Sequence, residues 1–273
     1  MSTDHPTRLS RRPLGLLGAA GAVLATLGAA SPAEAQSIDD LLTKKKLQVG
    51  LLVDFPPFGL ATGNNKYEGY DVDVATLMAK YLGVDLELVP VTGPNRIPYL
   101  LTSKVDVLVA SFGISPERAR QVMFSIAYSS IDIVLLAPKA TKITGPDDLK
   151  PLKVGVARAS TQDAVISEIA PAGTHIMRFD DDSTTVQAML SSQIDAIGVS
   201  TLVAKQLMGM NPAANYESKM VLRHQPMGVT LRRGQADLLQ WTNTFIYFIK
   251  NNGELDAICR KWLGTPLPEL PVF

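Results

Sequence analysis

Short β-branched apolar runs alternate with helix-type stretches along this chain, and that order excludes most folds. Leu47 to Val53 (LQVGLLV) reads as a buried strand, and Asp54-Phe55-Pro56-Pro57-Phe58 cannot continue it, because two prolines remove backbone donors. Asn64-Asn65 prolongs the loop. Val72, Leu77, Met78 and Leu82 then repeat near 3.6 residues, which predicts a helix ended by Gly83. Leu86 to Val91 is a second strand, the loop Thr92 to Arg96 follows, and Ile97 to Leu101 opens a helix closed by Lys104. With a third strand at Val105, Val107, Leu108 and Val109, the alternation defines an α/β chain.

The stretch Val105 to Phe124 carries the clearest chemical signal. After the strand, Ser115 offers an N-cap hydroxyl, Pro116 suits the first helical position and Glu117 puts a carboxylate in the positive first turn. Arg118 falls in that same turn, beyond the carboxyl end of a buried strand, where open α/β sheets bind ligands. Ser111, Gly113, Ser115 and Arg118 would line an anion site there. Taken alone, an ordinary solvated arginine and a simple cap fit these residues as readily.

The pattern then starts again. Ile131 to Ala137 is a strand and Thr141 to Leu149 a polar connection; Lys153 to Ala157 is the next strand, followed by the turn Arg158 to Thr161 and a helix over Gln162 to Ile169. Ile176 to Phe179 is a strand, Asp180 to Ser183 cap a helix over Thr184 to Leu190, and Ile194 to Val199 is a strand. Ser103-Lys104-Val105-Asp106 and Ser192-Gln193-Ile194-Asp195 repeat one helix-to-strand wording, which points to two similar lobes. Val221 to Leu231 reads as a returning strand broken by Pro226. Gln235 to Trp262 reads as helix divided by Gly253, and Thr265 to Phe273 as an extended tail.

Charge and cysteine content narrow the function. Basic and acidic residues balance at 26 each, without the basic excess of a nucleic-acid binder. Cys259 is the only cysteine, so no intrachain disulfide and no Cys/His zinc cluster is expected, and His5, His175 and His224 are scattered. No metal or cofactor is expected. Residues 1–35 read as an export signal: Arg8, Arg11 and Arg12 form a positive head, Leu14 to Ala30 an apolar stretch, and Ala33-Glu34-Ala35 a cleavage site. Ser10-Arg11-Arg12 is twin-arginine-like, and Sec export fits as well. The mature chain, from Gln36, has no apolar segment of the roughly 18 to 20 residues a membrane span needs. A soluble periplasmic protein, not inserted in the membrane, is expected.

In order, Leu47-Gln48-Val49-Gly50 with Pro57-Phe58, Gly69-Tyr70-Asp71-Val72-Asp73, Arg96-Ile97-Pro98, Lys104-Val105-Asp106, Ser115-Pro116-Glu117-Arg118, Phe124-Ser125, Ser160-Thr161, Asp195-Ala196, Asn252-Gly253 and Lys261-Trp262-Leu263-Gly264 resemble the periplasmic polar amino-acid-binding proteins of ABC importers, family 3 solute-binding proteins. The resemblance covers nearly all of the mature chain. It implies a type II periplasmic-binding fold in which each lobe is a mostly parallel sheet flanked by helices. Lobe 1 would be residues 36–130 plus 226–273 and lobe 2 residues 131–225. Crossings near Tyr128 to Ile131 and Arg223 to Gly228 would let the lobes close over ligand.

Carried over residue by residue, the resemblance makes Arg118 the clamp for the ligand α-carboxylate, met from lobe 2 by Ser160 and Thr161. Phe55 would stack on the ligand, and Ser111 and Gly113 would meet its polar ends. Two positions depart from the family pattern. Ser200 stands where an acid commonly holds the ligand amine, so either Asp54 or one of Asp180 to Asp182 substitutes or the ligand carries no ordinary α-ammonium group. Leu52 replaces a polar side-chain reader. Arg96, in Asn-Arg-Ile-Pro wording, matches versions of the family that recognise acidic amino acids; a surface pairing with Asp73 is its other reading. Two arginines without the usual acid make a positive cleft. The expected ligand is therefore a small carboxylate, an acidic or amide amino acid first and a dicarboxylate or keto acid second, which the protein, a monomer, would deliver to the importer's membrane permease. The rival reading is an exported dehydratase of the same fold acting on a small ring carboxylate, with a side chain such as Asp54 as acid or base.

Overall fold

The computed structural model describes residues 37–63 and 66–271. The export signal, Gln36, Asn64-Asn65 and the last two residues of the tail lie outside the described residues. Ser37 caps the first helix, α1 (Ile38–Lys44), in a reciprocal capping box with Asp40. There follow β1 (Lys46–Leu52), β2 (Asp54–Phe55), β3 (Gly59–Ala61), β4 (Tyr67–Glu68), α2 (Tyr70–Leu82), β5 (Asp85–Val91), α3 (Arg96–Leu101), β6 (Val107–Leu108) and the single turn α4 (Pro116–Ala119). Next come β7 (Val122–Pro138), a short 3-10 turn at Pro146–Leu149, β8 (Lys153–Ala157), α5 (Thr161–Ile169), β9 (His175–Phe179), α6 (Asp182–Leu190), β10 (Ala196–Ser200) and α7 (Thr201–Met210). The long strand β11 (Tyr216–Arg232) leads to α8 (Ala236–Asn251) and α9 (Glu254–Leu263).

Eight strands form one sheet in the order β5-β1-β6-β11-β7-β10-β8-β9. The outer trios, β5-β1-β6 and β10-β8-β9, are each parallel, and the two central strands join them antiparallel. The inner parallel strands are largely buried on both faces, as in the runs Val49 to Leu52 of β1, Val107-Leu108 of β6 and Val154 to Ala157 of β8, whereas the edge strands β5 and β9 stay mostly part-exposed. A separate three-stranded sheet, β2-β3-β4, occupies what the two prolines suggested was loop.

The repeated wording is repeated in space. Asp106 and Asp195 each exchange backbone and side-chain hydrogen bonds with the strand beside them. The Asp106 N–H donates to the Gln48 carbonyl and its carboxylate accepts from Gln48 N; Asp195 does the same with Lys153, every distance being 2.8 Å. Ser103 and Ser192, at φ 58° and 57°, turn the chain ahead of each. The opposite ends of the strands are matched as well: Ser111 after β6 and Ala159 after β8 take left-handed φ of 48° and 57°. That conformation costs a non-glycine residue about 1–2 kcal/mol, which the surrounding hydrogen bonds must offset.

Two expectations need correction. The strand expected at Ile131 begins at Val122, and the strand expected to break at Pro226 runs unbroken from Tyr216 to Arg232. The ladder between them slips register at Met227/Gly228, an irregularity of the kind that lets a strand carry a residue without an N–H. These paired strands connect the two halves of the sheet.

Candidate functional site

The two matched strand ends, after β6 and after β8, face each other across a cleft. From the β6 side, Arg118 Nη1 donates to the Gly113 carbonyl at 2.9 Å and to Thr161 Oγ1 at 3.1 Å, and Nη2 donates to the Ala159 carbonyl at 3.3 Å. Arg96 approaches the same carbonyl: its Nη2 reaches Ala159 O at 3.3 Å, Nη1 the Ala110 carbonyl at 3.2 Å, and Nε the Gly93 carbonyl at 3.3 Å. Both guanidinium carbons lie 4.3 Å from the centroid of the Phe112 ring, a cation–π arrangement that positions them together. Across the cleft, Ser160 caps α5 by accepting from Asp163 N. Thr161 and Gln162 begin that helix, whose first N–H groups have no helical carbonyl to pair with. At Gly93 a Cβ would sit 2.5 Å from the Arg158 carbonyl, so the two sides meet closely only because that residue is glycine.

These contacts separate two cavities. A small one of about 30 Å³ is lined by Leu52, Phe55, Arg96, Ser111, Asp182 and Gln225 among others; a larger one of about 550 Å³ lies on the outer side of Arg118. Ser160, Thr161 and Gln225 line both. The larger holds Gly113, Ser115 and Arg118 from the sequence reading, together with the Arg178–Asp163 pair at 2.8 Å. The small cavity gathers Phe55, Arg96, Ser111, Ser160 and Thr161 from the sequence reading.

Arg96 and Arg118 face only neutral oxygens and form no ion pair among the described residues. Burial lowers Arg96 to about 10. Burial, then Arg96 and Arg223, lower Arg118 to about 9. Both remain charged at neutral pH, with Asp182 and Asp54 the carboxylates acting most on Arg96 and Glu117 the one acting on Arg118, none of them in a direct ion pair with either arginine. Asp73, the alternative partner weighed for Arg96, instead accepts from Lys261 Nζ and Trp262 Nε1, each at 2.7 Å.

Several expected roles change. Ser200 is buried at the end of β10, where its hydroxyl caps α7 by accepting from Val203 N at 3.2 Å; it lines neither cavity. A serine at a strand-to-helix joint favours the cap because the first turn of the helix needs an acceptor. The Gly113 carbonyl is taken by Arg118, and its α-carbon is pressed against Gln225. Ser111 donates its hydroxyl proton to Asp71 at 2.7 Å, so toward the cleft that oxygen can only accept. Phe55 stacks on Phe58 with ring centroids 5.5 Å apart while also walling the small cavity.

The cleft is not the positive site that its two arginines suggested. Asp182, first residue of α6, enters the small cavity and accepts from Gln162 Nε2 at 3.0 Å, with Asp54 behind it. Burial, then the Asp54 carboxylate, push Asp182 up to about 7, with Arg96 pulling the other way; burial and Asp181 raise Asp54. Two carboxylates thus oppose two guanidinium groups. Asp182 was one of several acids weighed, whereas Gln225 and Phe112 carried no signal in the sequence. Among the described residues, no cluster of His, Cys, Asp or Glu suits a metal ion, and no helix is long and apolar enough to cross a membrane.

Two α/β lobes bridged by paired strands, with polar groups converging on the cleft between them, define a type II periplasmic-binding-protein fold. The chain belongs to the bacterial extracellular solute-binding proteins, family 3, whose model matches residues 47–265. It is 31% identical to the L-cystine-binding protein TcyJ of Escherichia coli K12 over 92% of this chain and 97% of that protein. An ancestral arginine-binding protein bound to glutamine superposes with a TM-score of 0.74 at 34% identity, covering 81% of this chain and 99% of that one. The ancestral amino acid-binding protein AncCDT-1, a precursor of cyclohexadienyl dehydratase, superposes at 0.73 with 31% identity, covering 82% and 98%. The family is one of extracytoplasmic binding proteins and not of enzymes, so the dehydratase reading is set aside.

Proposed function

We propose that this chain captures a zwitterionic α-amino acid with a neutral polar side chain, an amide first, and delivers it to the membrane permease of an ABC importer. The observation that carries the proposal is Arg118: a part-buried guanidinium whose hydrogen bonds all go to neutral oxygens of both cleft walls. A ligand carboxylate inserted between Arg118 and the start of α5 would exchange those contacts with neutral oxygens for an ion pair. The ligand ammonium would sit by Ser111 Oγ, with Asp182 as counter-charge, and Phe55 would cover the side chain. Arg96 and Asp54 would flank the distal end. Their opposite charges favour an amide, which donates and accepts, over a carboxylate or a guanidinium. L-Cystine is the second reading, because its distal end also carries both charges and a relative is named for it.

The lobes of this reading are residues 36–130 with 226–273 and residues 131–225, hinged at Tyr128 to Ile131 and Arg223 to Gly228. Gln225 pairs with Ile131 and Pro226 with Ser130, so both crossings fall on one short piece of ladder. The chain works as a monomer, since both cleft walls come from a single copy. Calorimetric titration of refolded, ligand-stripped protein with L-glutamine, L-asparagine, L-glutamate, L-cystine and L-arginine tests the proposal. Tightest binding of an amide, or of cystine, supports it. Exclusive binding of arginine, or of none of these, contradicts it.

A further inference from the structure

One buried polar atom of the cleft has no partner: Gln225 Oε1 is the only such side-chain atom among the described residues. Gln225 is 5% exposed and belongs to β11, at the crossing between the lobes. Two features hold its side chain in place. Its Nε2 lies 3.4 Å from the Ser111 carbonyl, and its amide carbon and oxygen would lie 2.7 and 2.8 Å from a Cβ at position 113. A Cβ at 113 would force that amide to shift. A buried acceptor left unpaired is destabilising, so a side chain placed here with its oxygen idle calls for a donor. Gln225 lines the small cavity together with Ser111, whose own hydroxyl proton is committed to Asp71.

We infer that Gln225 reads the ligand's ammonium group, its Oε1 and Ser111 Oγ forming a pair of neutral acceptors where Ser200 cannot serve. The inference rests on the reading that the cleft binds an α-amino acid. It adds a residue by which this chain recognises the amine, on a strand that both lobes share. Filling that acceptor would also favour closure, because it lies between the two walls.

The test is a cycle of two ligands and two proteins. L-Glutamine and its des-amino counterpart, 4-carbamoylbutanoate, are titrated calorimetrically into the wild-type chain and into Gln225→Met, which keeps the length and removes the amide. Thermal unfolding checks that the variant folds, and Gln225→Asn, which withdraws the oxygen, replaces it if Met is not tolerated. The expected result is a loss of roughly tenfold or more for L-glutamine and less than about threefold for the des-amino compound. Equal losses for both ligands, or no loss for either, overturn the inference and leave the amino-acid reading standing. Failure of the wild-type chain to bind L-glutamine overturns the reading itself, and the inference with it.

Discussion

The ends of β6 and β8 are the same device built twice and put to different use. Each strand leaves a left-handed residue, Ser111 or Ala159, at the cleft, and each is followed by a serine-capped turn. After β6 the helix is only Pro116–Ala119, too short to gather a helix dipole, and the positive charge comes from the Arg118 side chain. After β8 the helix runs nine residues, Thr161–Ile169, and the wall offers backbone N–H groups and a hydroxyl. A shared backbone plan thus supplies one strong charge from one lobe and a set of oriented dipoles from the other. The asymmetry suits a ligand held by both walls at once.

Removing the charged side should do most to break that comparison. Arg118→Ala is expected to weaken amino-acid affinity by roughly thirtyfold or more, the range for truncating a buried charge partner, as read by calorimetry. A loss under about threefold would remove Arg118 from the site.

Asp182 sharpens the account through pH. Its folded value, raised to about 7, means that the free cleft takes up a proton there as pH falls, so the counter-charge to the ligand ammonium is present above about 7 and lost below it. Affinity should fall roughly tenfold between pH 8 and pH 5, and Asp182→Asn should flatten the profile while lowering affinity at pH 8. Asp54 and Asp181 on one side and Arg96 on the other face the same carboxylate, so the Asp54→Asn profile is the control. The same raised value makes an unliganded contribution to stability that is largest at acid pH and fades as pH rises through about 7.

The dipole side should respond less. Thr161→Val removes the hydroxyl that Arg118 donates to and should cost about fivefold to tenfold in affinity, near 1 kcal/mol. Smallest of all for binding is Ser200→Ala: loss of the α7 cap should lower stability by about 1 kcal/mol in denaturant unfolding and leave affinity within about twofold.

Much of this was legible before any coordinates. The twice-used Ser-x-x-Asp wording marked the two halves because the left-handed turn at Ser103 and Ser192 is local, although the carboxylate that follows each turn bonds a strand far away in the chain. Arg118 and Thr161 were legible for a similar reason, each following a strand end by a short turn. What stayed hidden depends on contacts distant in the chain. Gln225 stands 114 positions from the Ser111 carbonyl it approaches, and nothing around it in the sequence marks a binding residue. The capping role of Ser200 was not legible because a serine at that joint can face a ligand or cap a helix, and only the start of α7 at Thr201 decides between them. The long reach of β7 was missed because Val122 to Ser130 mixes serines with apolar residues, and pairing with β11 rather than composition makes it strand.

The most direct measurement is a crystal structure of the refolded chain grown with L-glutamine. The account predicts the ligand carboxylate between the Arg118 guanidinium and the start of α5, its ammonium beside Ser111 and Gln225, and its side chain toward Arg96. A carboxylate bound away from Arg118, or a ligand lodged in the outer cavity without touching Ser111, would contradict it.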